Sequence, residues 1–219
     1  MKLSSVQLAR SIWLFIATDL NPRGRDIFSI LEEVVERYEF RSYPESIDEI
    51  NTQEGVKLRA GIFMGQQNES IGVDLTIYND GFLADTRSST IDSDGFLDDL
   101  LVWLSKKHNF IPHKGVQRGK VYVSQLYFSM EKRLYALNPK LEKFAGLLSS
   151  KITGYNDIDL EVGGISLWRD PGKIGQPGSF RIERQEGLPF KENRYFSVAP
   201  LQTEVHIEVL EEFEKILAS

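Results

Sequence analysis

Two short stretches of the sequence contain the residue types of phosphate- and metal-binding loops. The first is GVQRGK at 115–120. A phosphate-binding loop needs four residues between its glycines, a Ser or Thr after the lysine, and a helix after that. Here three residues separate the glycines, Val121 follows Lys120, and the next run is strand-like. We therefore interpret 115–120 as a connecting segment.

The second stretch, TIDSDGFLDDLL at 90–101, has the spaced carboxylates of a calcium-binding loop. With Gly95 at the glycine position of such a loop, the first ligand would be Thr90 and the bidentate glutamate position would be Leu101. Neither side chain is a carboxylate. The acidic cluster that starts at Asp92 instead predicts the N-terminal cap of a helix, where negative charge is favourable.

Other candidates for catalysis are few. The chain has no cysteine, and its histidines are His108, His113 and His206. None of them forms a His-x-x-x-His pair, no Gly-x-Ser-x-Gly motif is present, and no pair of carboxylates is distinguished by its spacing. We predict no catalytic residue, no metal site and no cofactor. An enzyme with a site in the cleft between the two halves of the chain stays open as a third hypothesis.

Composition indicates a globular protein. The 219 residues are 41% hydrophobic and 26% charged, so the chain has enough apolar mass for a sizeable core. A chain without cysteine forms no disulfide, which fits a reducing compartment. The apolar run near the N-terminus, at 12–17, is too short to cross a membrane and has the pattern of a strand. We therefore expect a cytoplasmic protein that does not contact membranes.

The charge is unevenly distributed. The formal net charge is −6, with 11 basic and 18 acidic side chains in residues 1–112 and 15 basic and 14 acidic ones in residues 113–219. Nonspecific nucleic-acid binders neutralise phosphates with Lys and Arg, so an acidic chain disfavours that function. A nucleic-acid or nucleotide binder that uses the second half remains the second hypothesis.

The phrase Leu-Asn-Pro followed by a basic residue occurs twice, 117 positions apart. Asn is a good helix N-cap, and Pro suits the first helical position, so we predict that helices begin after Asn21 and Asn138. Five apolar or aromatic pairs keep the same offset: Ile27 and Phe144, Ile30 and Leu147, Leu31 and Leu148, Val35 and Ile152, Tyr38 and Tyr155. The agreement predicts a tandem duplication.

The remaining pattern has the same order in each half. A strand-like run precedes each predicted helix, and three alternating runs and a second amphipathic helix follow it. The first hairpin is predicted to turn at Asp80-Gly81, where glycine would supply a positive φ. We predict an α+β fold of two β-α-β-β-β-α repeats, each an antiparallel sheet with helices on one face. The repeats are residues 1–109 and 118–219, joined by a linker at 110–117.

Two regions are predicted to bind another protein or a second copy of this chain. The first strand is apolar on both faces, and the helices of its own half would cover only one of them. The uncovered face would present Ile12, Leu14 and Ile16, and it would be covered by the second half of the chain, by another subunit or by a different protein. The segment 168–178 is long and irregular, as binding loops often are. Its candidate residues are Trp168, Arg169 and Lys173.

Basic side chains supply the other candidates. Arg23, Arg25 and Lys140 lie at predicted helix N-termini, where free N–H groups and a cation together could hold a phosphate or an acidic side chain. The nucleic-acid hypothesis relies on stacking tyrosines and on four arginines of the second half: Arg133, Arg181, Arg184 and Arg194, with Tyr127, Tyr135 and Tyr195. The leading hypothesis is a non-enzymatic protein-binding module that uses an open sheet face or the 168–178 segment.

Overall fold

The computed structural model describes residues 1–24, 27–46, 49, 54–154, 160–170, 172 and 178–219. Within these residues the fold is mixed α/β, with one eight-stranded antiparallel sheet and five α-helices. The strands are β1 Lys2–Leu14, β2 Val56–Met64, β3 Ser70–Tyr78, β4 Gly81–Thr86, β5 Gly119–Ser129, β6 Gly164–Leu167, β7 Phe180–Arg184 and β8 Arg194–Ala199. The helices are α1 Ala17–Leu20, α2 Ile27–Tyr38, α3 Thr90–His108, α4 Pro139–Ser149 and α5 Thr203–Ala218. The strand order is β2-β3-β4-β1-β5-β8-β7-β6.

The chain divides into two compact units. Residues 8–124 and 201–203 form what we call the N-terminal unit. Residues 1–7, 125–200 and 204–219 form the C-terminal unit. The segment 110–117 therefore belongs to the N-terminal unit, and the first seven residues of the chain belong to the C-terminal unit.

In the N-terminal unit, β1 alternates between a buried and a half-buried face. Ser11 and Trp13 are at most 2% exposed, as is Phe15 just beyond the strand. Ile12 and Leu14 point to the other face and are half-buried. The strand pairs antiparallel with β4, and successive side chains of a strand point to opposite faces, so the core receives every second residue.

The helices α2 and α3 cover the buried face of this unit. Leu31 and Val34 of α2 and Leu100 and Leu104 of α3 are all at most 5% exposed and belong to one apolar cluster. Burying side chains of this size contributes roughly 1.5–3 kcal/mol each. This cluster is the larger of the two cores among the described residues.

One hydrogen-bonded group fixes α2 to α3. The Tyr38 hydroxyl donates to Asp99 Oδ2 at 2.6 Å, and Arg37 Nη2 donates to the same oxygen at 3.0 Å. The Tyr38 ring also packs edge-on against Phe96, with ring centroids 4.9 Å apart. Burial, together with the hydrogen bond to Asp99, raises the pKa of Tyr38, so its hydroxyl stays protonated as the donor.

The acidic cluster at residues 92–94 was predicted to cap α3, but α3 begins earlier, at Thr90, and the cluster lies inside its first turns. Ser89 is the N-cap, and its hydroxyl oxygen accepts from the Asp92 N–H at 3.1 Å. The same hydroxyl donates to Asp92 Oδ2 at 3.0 Å. This reciprocal pair satisfies a backbone donor of the first turn and places negative charge at the positive end of the helix.

The start of α2 differs from the prediction. Asn21 does not cap α2; its N–H donates to the Ala17 carbonyl at 3.3 Å and ends α1. Gly24 then has φ +59°, a left-handed conformation that interrupts the helix, and α2 begins at Ile27. The corresponding prediction for Asn138 is confirmed, because its side chain caps α4.

Gly81 also has a different role from the one predicted. It has no positive φ; a Cβ at this position would lie 2.4 Å from the Trp13 carbonyl oxygen of β1. The close approach of the two backbones requires glycine here, and the loop between β3 and β4 consists of Asn79 and Asp80.

The C-terminal unit has a smaller core formed by its strands and one face of α5. Its buried side chains include Leu126, Phe128, Ile182, Leu210 and Leu217. Beside them lies His206, which is 0% exposed, with Nε2 2.9 Å from the Ser197 hydroxyl oxygen. Because that hydroxyl donates to the Arg181 carbonyl at 2.8 Å, it accepts from His206 Nε2. The neutral imidazole is thus held as a donor inside the core.

The burial of His206 predicts acid sensitivity. Desolvation lowers the pKa of His206 to about 4 from its usual 6.5. Above pH 6.5 the ring is neutral in both states; between pH 6.5 and 4 the unfolded chain binds a proton that the folded chain excludes. Stability is therefore expected to fall by about 3 kcal/mol as the pH falls through this window. Urea denaturation at several pH values should show that His206→Asn has a shallower pH dependence than wild type. Equal dependences would contradict the assignment.

Candidate interaction surface

Helix α4 begins as its sequence predicts. The Asn138 side chain accepts a hydrogen bond from the Lys140 N–H at 3.1 Å, and Pro139 occupies the first helical position. At the other end the Ser150 N–H donates to the Gly146 carbonyl at 3.1 Å. Both ends of the helix therefore have partners for some of the backbone groups that a helix leaves unpaired.

No residue of α4 is buried. Its apolar side chains, which we call the α4 stripe, are between 38% and 56% exposed: Leu141, Phe144, Leu147 and Leu148, continued by Ile152. The prediction that both helices of the second half pack on a sheet is wrong for α4. Sequence reasoning missed this surface because an amphipathic helix normally places its apolar face in a core.

Contacts on either side hold α4 in this position. Before the helix, Leu134 is 1% exposed and belongs to the core of the C-terminal unit, and the Tyr135 hydroxyl donates to the Leu160 carbonyl at 2.8 Å. At the last residue of the helix, Ser149 Oγ accepts a hydrogen bond from the Leu160 N–H at 3.2 Å. The exposed stripe thus belongs to an anchored helix.

Helix α5 carries a second exposed apolar set, which we call the α5 stripe. It consists of Val205, Val209 and Ile216, which are between 38% and 60% exposed. Four- and seven-residue spacings place the three on one side of the helix, away from the buried Leu210 and Leu217. Burial of Leu210 and Leu217 explains why α5 packs on the core. It does not explain why Val205, Val209 and Ile216 are apolar.

The predicted loop at 168–178 is described at residues 168–170, 172 and 178, and Lys173 lies outside the described residues. Trp168 is 83% exposed, and Leu167 at the end of β6 is 62% exposed. Arg169 is also exposed. Trp168 and Leu167 therefore add apolar surface to the C-terminal unit.

The predicted sheet-face residues are half-buried. Ile12 lies directly opposite Leu83 of β4, and the neighbouring pair, Arg10 and Asp85, forms two hydrogen bonds of 2.7 Å. Ile16 is beyond the strand, at the N-cap of α1. Apolar side chains and an ion pair thus lie side by side on this face.

The arginines proposed for nucleic-acid binding have protein partners. Arg133 and Arg184 both pair with Glu161, Arg133 at 3.0 Å. Arg181 Nη1 lies 3.5 Å from Glu183, and Arg194 Nη2 lies 3.5 Å from the Ser4 hydroxyl oxygen. Tyr195, proposed for stacking, is 0% exposed in the core. Arg184 is the most enclosed of these arginines, with a side chain 10% exposed, whereas the Arg133 and Arg181 side chains are 54% and 47% exposed.

The cations predicted to hold an anion at helix starts lie in different settings. Arg23 is exposed but lies in a turn before α2, since α2 begins at Ile27. Arg25 lies outside the described residues. Lys140 is exposed at the start of α4 and its N–H is already bonded to Asn138.

A polar cluster in the N-terminal unit was not predicted. The Asp94 carboxylate accepts from Trp13 Nε1 at 2.7 Å, Lys120 Nζ at 3.1 Å and the Tyr122 hydroxyl at 2.9 Å. His113 is 3% exposed, and its ring packs against Trp13 with the ring centroids 5.1 Å apart. Three donors satisfy the Asp94 carboxylate, so the cluster fixes α3 to β1 and β5.

No family model matches the sequence, and no curated protein matches it either. Searches of the described residues found no group of three or more His, Asp or Glu side chains suited to a metal ion. In the same part of the chain, no helix combines the length and apolarity needed to cross a membrane.

The difference in burial between α2 and α4 predicts different costs for the same substitution. Leu147 of α4 is 56% exposed, whereas Leu31 of α2 is 5% exposed. Leu147→Ala should change the free energy of unfolding by less than about 0.5 kcal/mol, and Leu31→Ala should lower it by about 2–5 kcal/mol. Chemical denaturation of both variants at low protein concentration measures this. A large loss for Leu147→Ala would mean that α4 packs in a core.

Proposed function

We propose that this protein is a non-enzymatic interaction module that binds another protein or a second copy of itself. The observation that carries the proposal is the α4 stripe, an anchored amphipathic helix with no buried residue. Contiguous exposed apolar surface of this kind usually marks an interaction site, because leaving it in water forgoes the hydrophobic free energy.

Other surfaces support the same proposal. Trp168 at 83% exposure has the residue type that most often anchors a protein interface. The half-buried face with Ile12 and Leu14 offers a second contact area on the N-terminal unit. The predicted use of an open sheet face or of the 168–178 segment remains part of the proposal.

The two other hypotheses receive less support. A nucleic-acid binder needs exposed cations and stacking rings, but Arg184 is paired with Glu161 and Tyr195 is buried. An enzyme needs a group free to move a proton, but the most polar cluster described above has its carboxylate, Asp94, bonded to three donors.

We also propose that residues 1–109 and 118–219 arose by tandem duplication. Each range has the element order β-α-β-β-β-α, with the short α1 added in the first. The offset of 117 residues places β1 on β5, but it does not relate the starts of α2 and α4. Superposition of experimentally determined coordinates provides the test: the four strands of each range should superpose in the same order and direction, and a failure would contradict duplication.

The proposed function predicts that charge on the α4 stripe abolishes binding. The variant Phe144→Glu/Leu148→Glu places two carboxylates where a partner would bury apolar side chains, so association should fall by at least about tenfold. Gly146→Glu adds a carboxylate on the opposite side of α4, where nothing lies within 4 Å of an added Cβ, and is the control. Tagged full-length proteins, checked by circular dichroism, would be incubated with an extract of the native host and the retained proteins quantified by mass spectrometry.

The wild type and the control should retain the same proteins, including untagged copies of this chain where present, and the double variant should lose them. Retention of the same proteins by all three would contradict the use of the α4 stripe.

A further inference from the structure

We infer that the α4 stripe of one copy packs on the α5 stripe of a second copy, and that the reciprocal contact closes a two-fold dimer. This inference rests on the proposed interaction function and names its partner. A two-fold dimer covers both stripes of both copies at once, so neither stripe is left to extend the assembly.

The first argument is that α5 has an apolar side with no cover among the described residues. His206, Leu210 and Leu217 occupy the core side of the helix and are at most 5% exposed. Val209 and Ile216 lie on another side and are 39% and 60% exposed. A helix with two apolar sides is suited to packing against two neighbours.

In the N-terminal unit, the side of α3 that corresponds to the α5 stripe contacts another helix. When α3 and α5 are aligned at their first residues, Thr90 and Thr203, Val209 corresponds to Phe96 and Ile216 corresponds to Trp103. Both of these α3 residues contact α2: Phe96 packs against Tyr38, and the Trp103 ring lies 5.4 Å from the Arg37 guanidinium. The α5 stripe thus occupies the positions that receive an amphipathic helix in the other unit.

The second argument is charge complementarity. Lys140 lies four residues before Phe144 and Lys143 four residues before Leu147, so both lysines lie beside the α4 stripe. Along the α5 stripe, Glu208 and Glu212 are exposed beside Val205 and Val209, and Glu212 also pairs with Lys215 at 2.5 Å. Packing α4 on α5 brings lysines to glutamates, whereas packing α4 on another α4 brings lysines together.

The third argument concerns which copy supplies the α5 stripe that α4 contacts. Leu134 is buried before α4, and Leu160 is bonded to both Tyr135 and Ser149. These contacts hold α4 where its stripe is exposed, and moving it onto the α5 stripe of its own copy would break them. A second copy reaches both stripes with the contacts intact.

Charge reversal provides the sharpest test. Variant A is Lys140→Glu/Lys143→Glu, and variant B is Glu208→Lys/Glu212→Lys; all four positions are exposed, so both variants should fold, as circular dichroism would verify. In an A–A pair glutamates face glutamates, and in a B–B pair lysines face lysines. In an A–B pair both contacts are complementary.

Sedimentation velocity would be measured over a range of concentrations at low salt. The wild type should be a dimer, A and B alone should each associate at least about tenfold more weakly, and an equimolar mixture should regain the dimer. A wild-type monomer, variants that dimerise like the wild type, or a mixture that stays monomeric would each overturn the inference.

Disulfide trapping identifies which copy supplies α4, since the chain has no cysteine of its own. Phe144→Cys and Val209→Cys proteins, mixed and mildly oxidised, should give a cross-linked heterodimer at a yield well above that of either protein alone. A double variant that instead forms its disulfide within one chain would overturn the inference. A monomer that still retains another protein through the α4 stripe would also overturn it, while leaving the proposed function intact.

Discussion

Packing of α2 against α3 is the interaction on which the N-terminal unit depends. Tyr38 contributes its ring to Phe96 and its hydroxyl to Asp99, and Arg37 pairs with the same carboxylate. Leu31 and Val34 complete the contact inside the apolar cluster. An amphipathic helix of this length is marginal alone in water, so its stability comes from this apolar cover. The N-terminal unit therefore buries the apolar side of α2 with its own residues.

The described residues of the C-terminal unit do not bury the apolar side of α4 in the same way. Its core is formed by β5, β7, β8 and α5, and α4 contributes no buried residue to it. Hydrogen bonds through Leu160 hold the helix, but they do not cover its apolar side. A helix that is fixed in place with its apolar side open is preorganised for a partner, because little ordering remains to be done on binding. The proposed interaction function rests on this difference between the units.

Much of the fold was predictable from sequence periodicity. Alternating runs indicated the strands, and the Asn138-Pro139 pair correctly marked the start of α4. The matching Asn21-Pro22 pair did not mark the start of α2. Gly24 interrupts the helix there, and tertiary packing decides where α2 begins. The α4 stripe could not be identified as exposed, since periodicity reports which residues share a helix side and is silent on whether that side is covered. The Asp94 cluster depends on contacts between residues far apart in sequence.

Hydrogen–deuterium exchange measured at increasing protein concentration most directly tests the central claim, that α4 lacks apolar cover among the described residues of its own chain. Backbone exchange of peptides from α4 should be much faster than that of peptides from α2 in dilute protein, where local opening of α4 breaks few contacts. As the concentration rises, exchange in α4 and α5 should slow together while exchange in α2 stays constant. Strong protection of α4 equal to that of α2 in dilute, monomeric protein would contradict the account, because it would show that α4 is packed within its own chain.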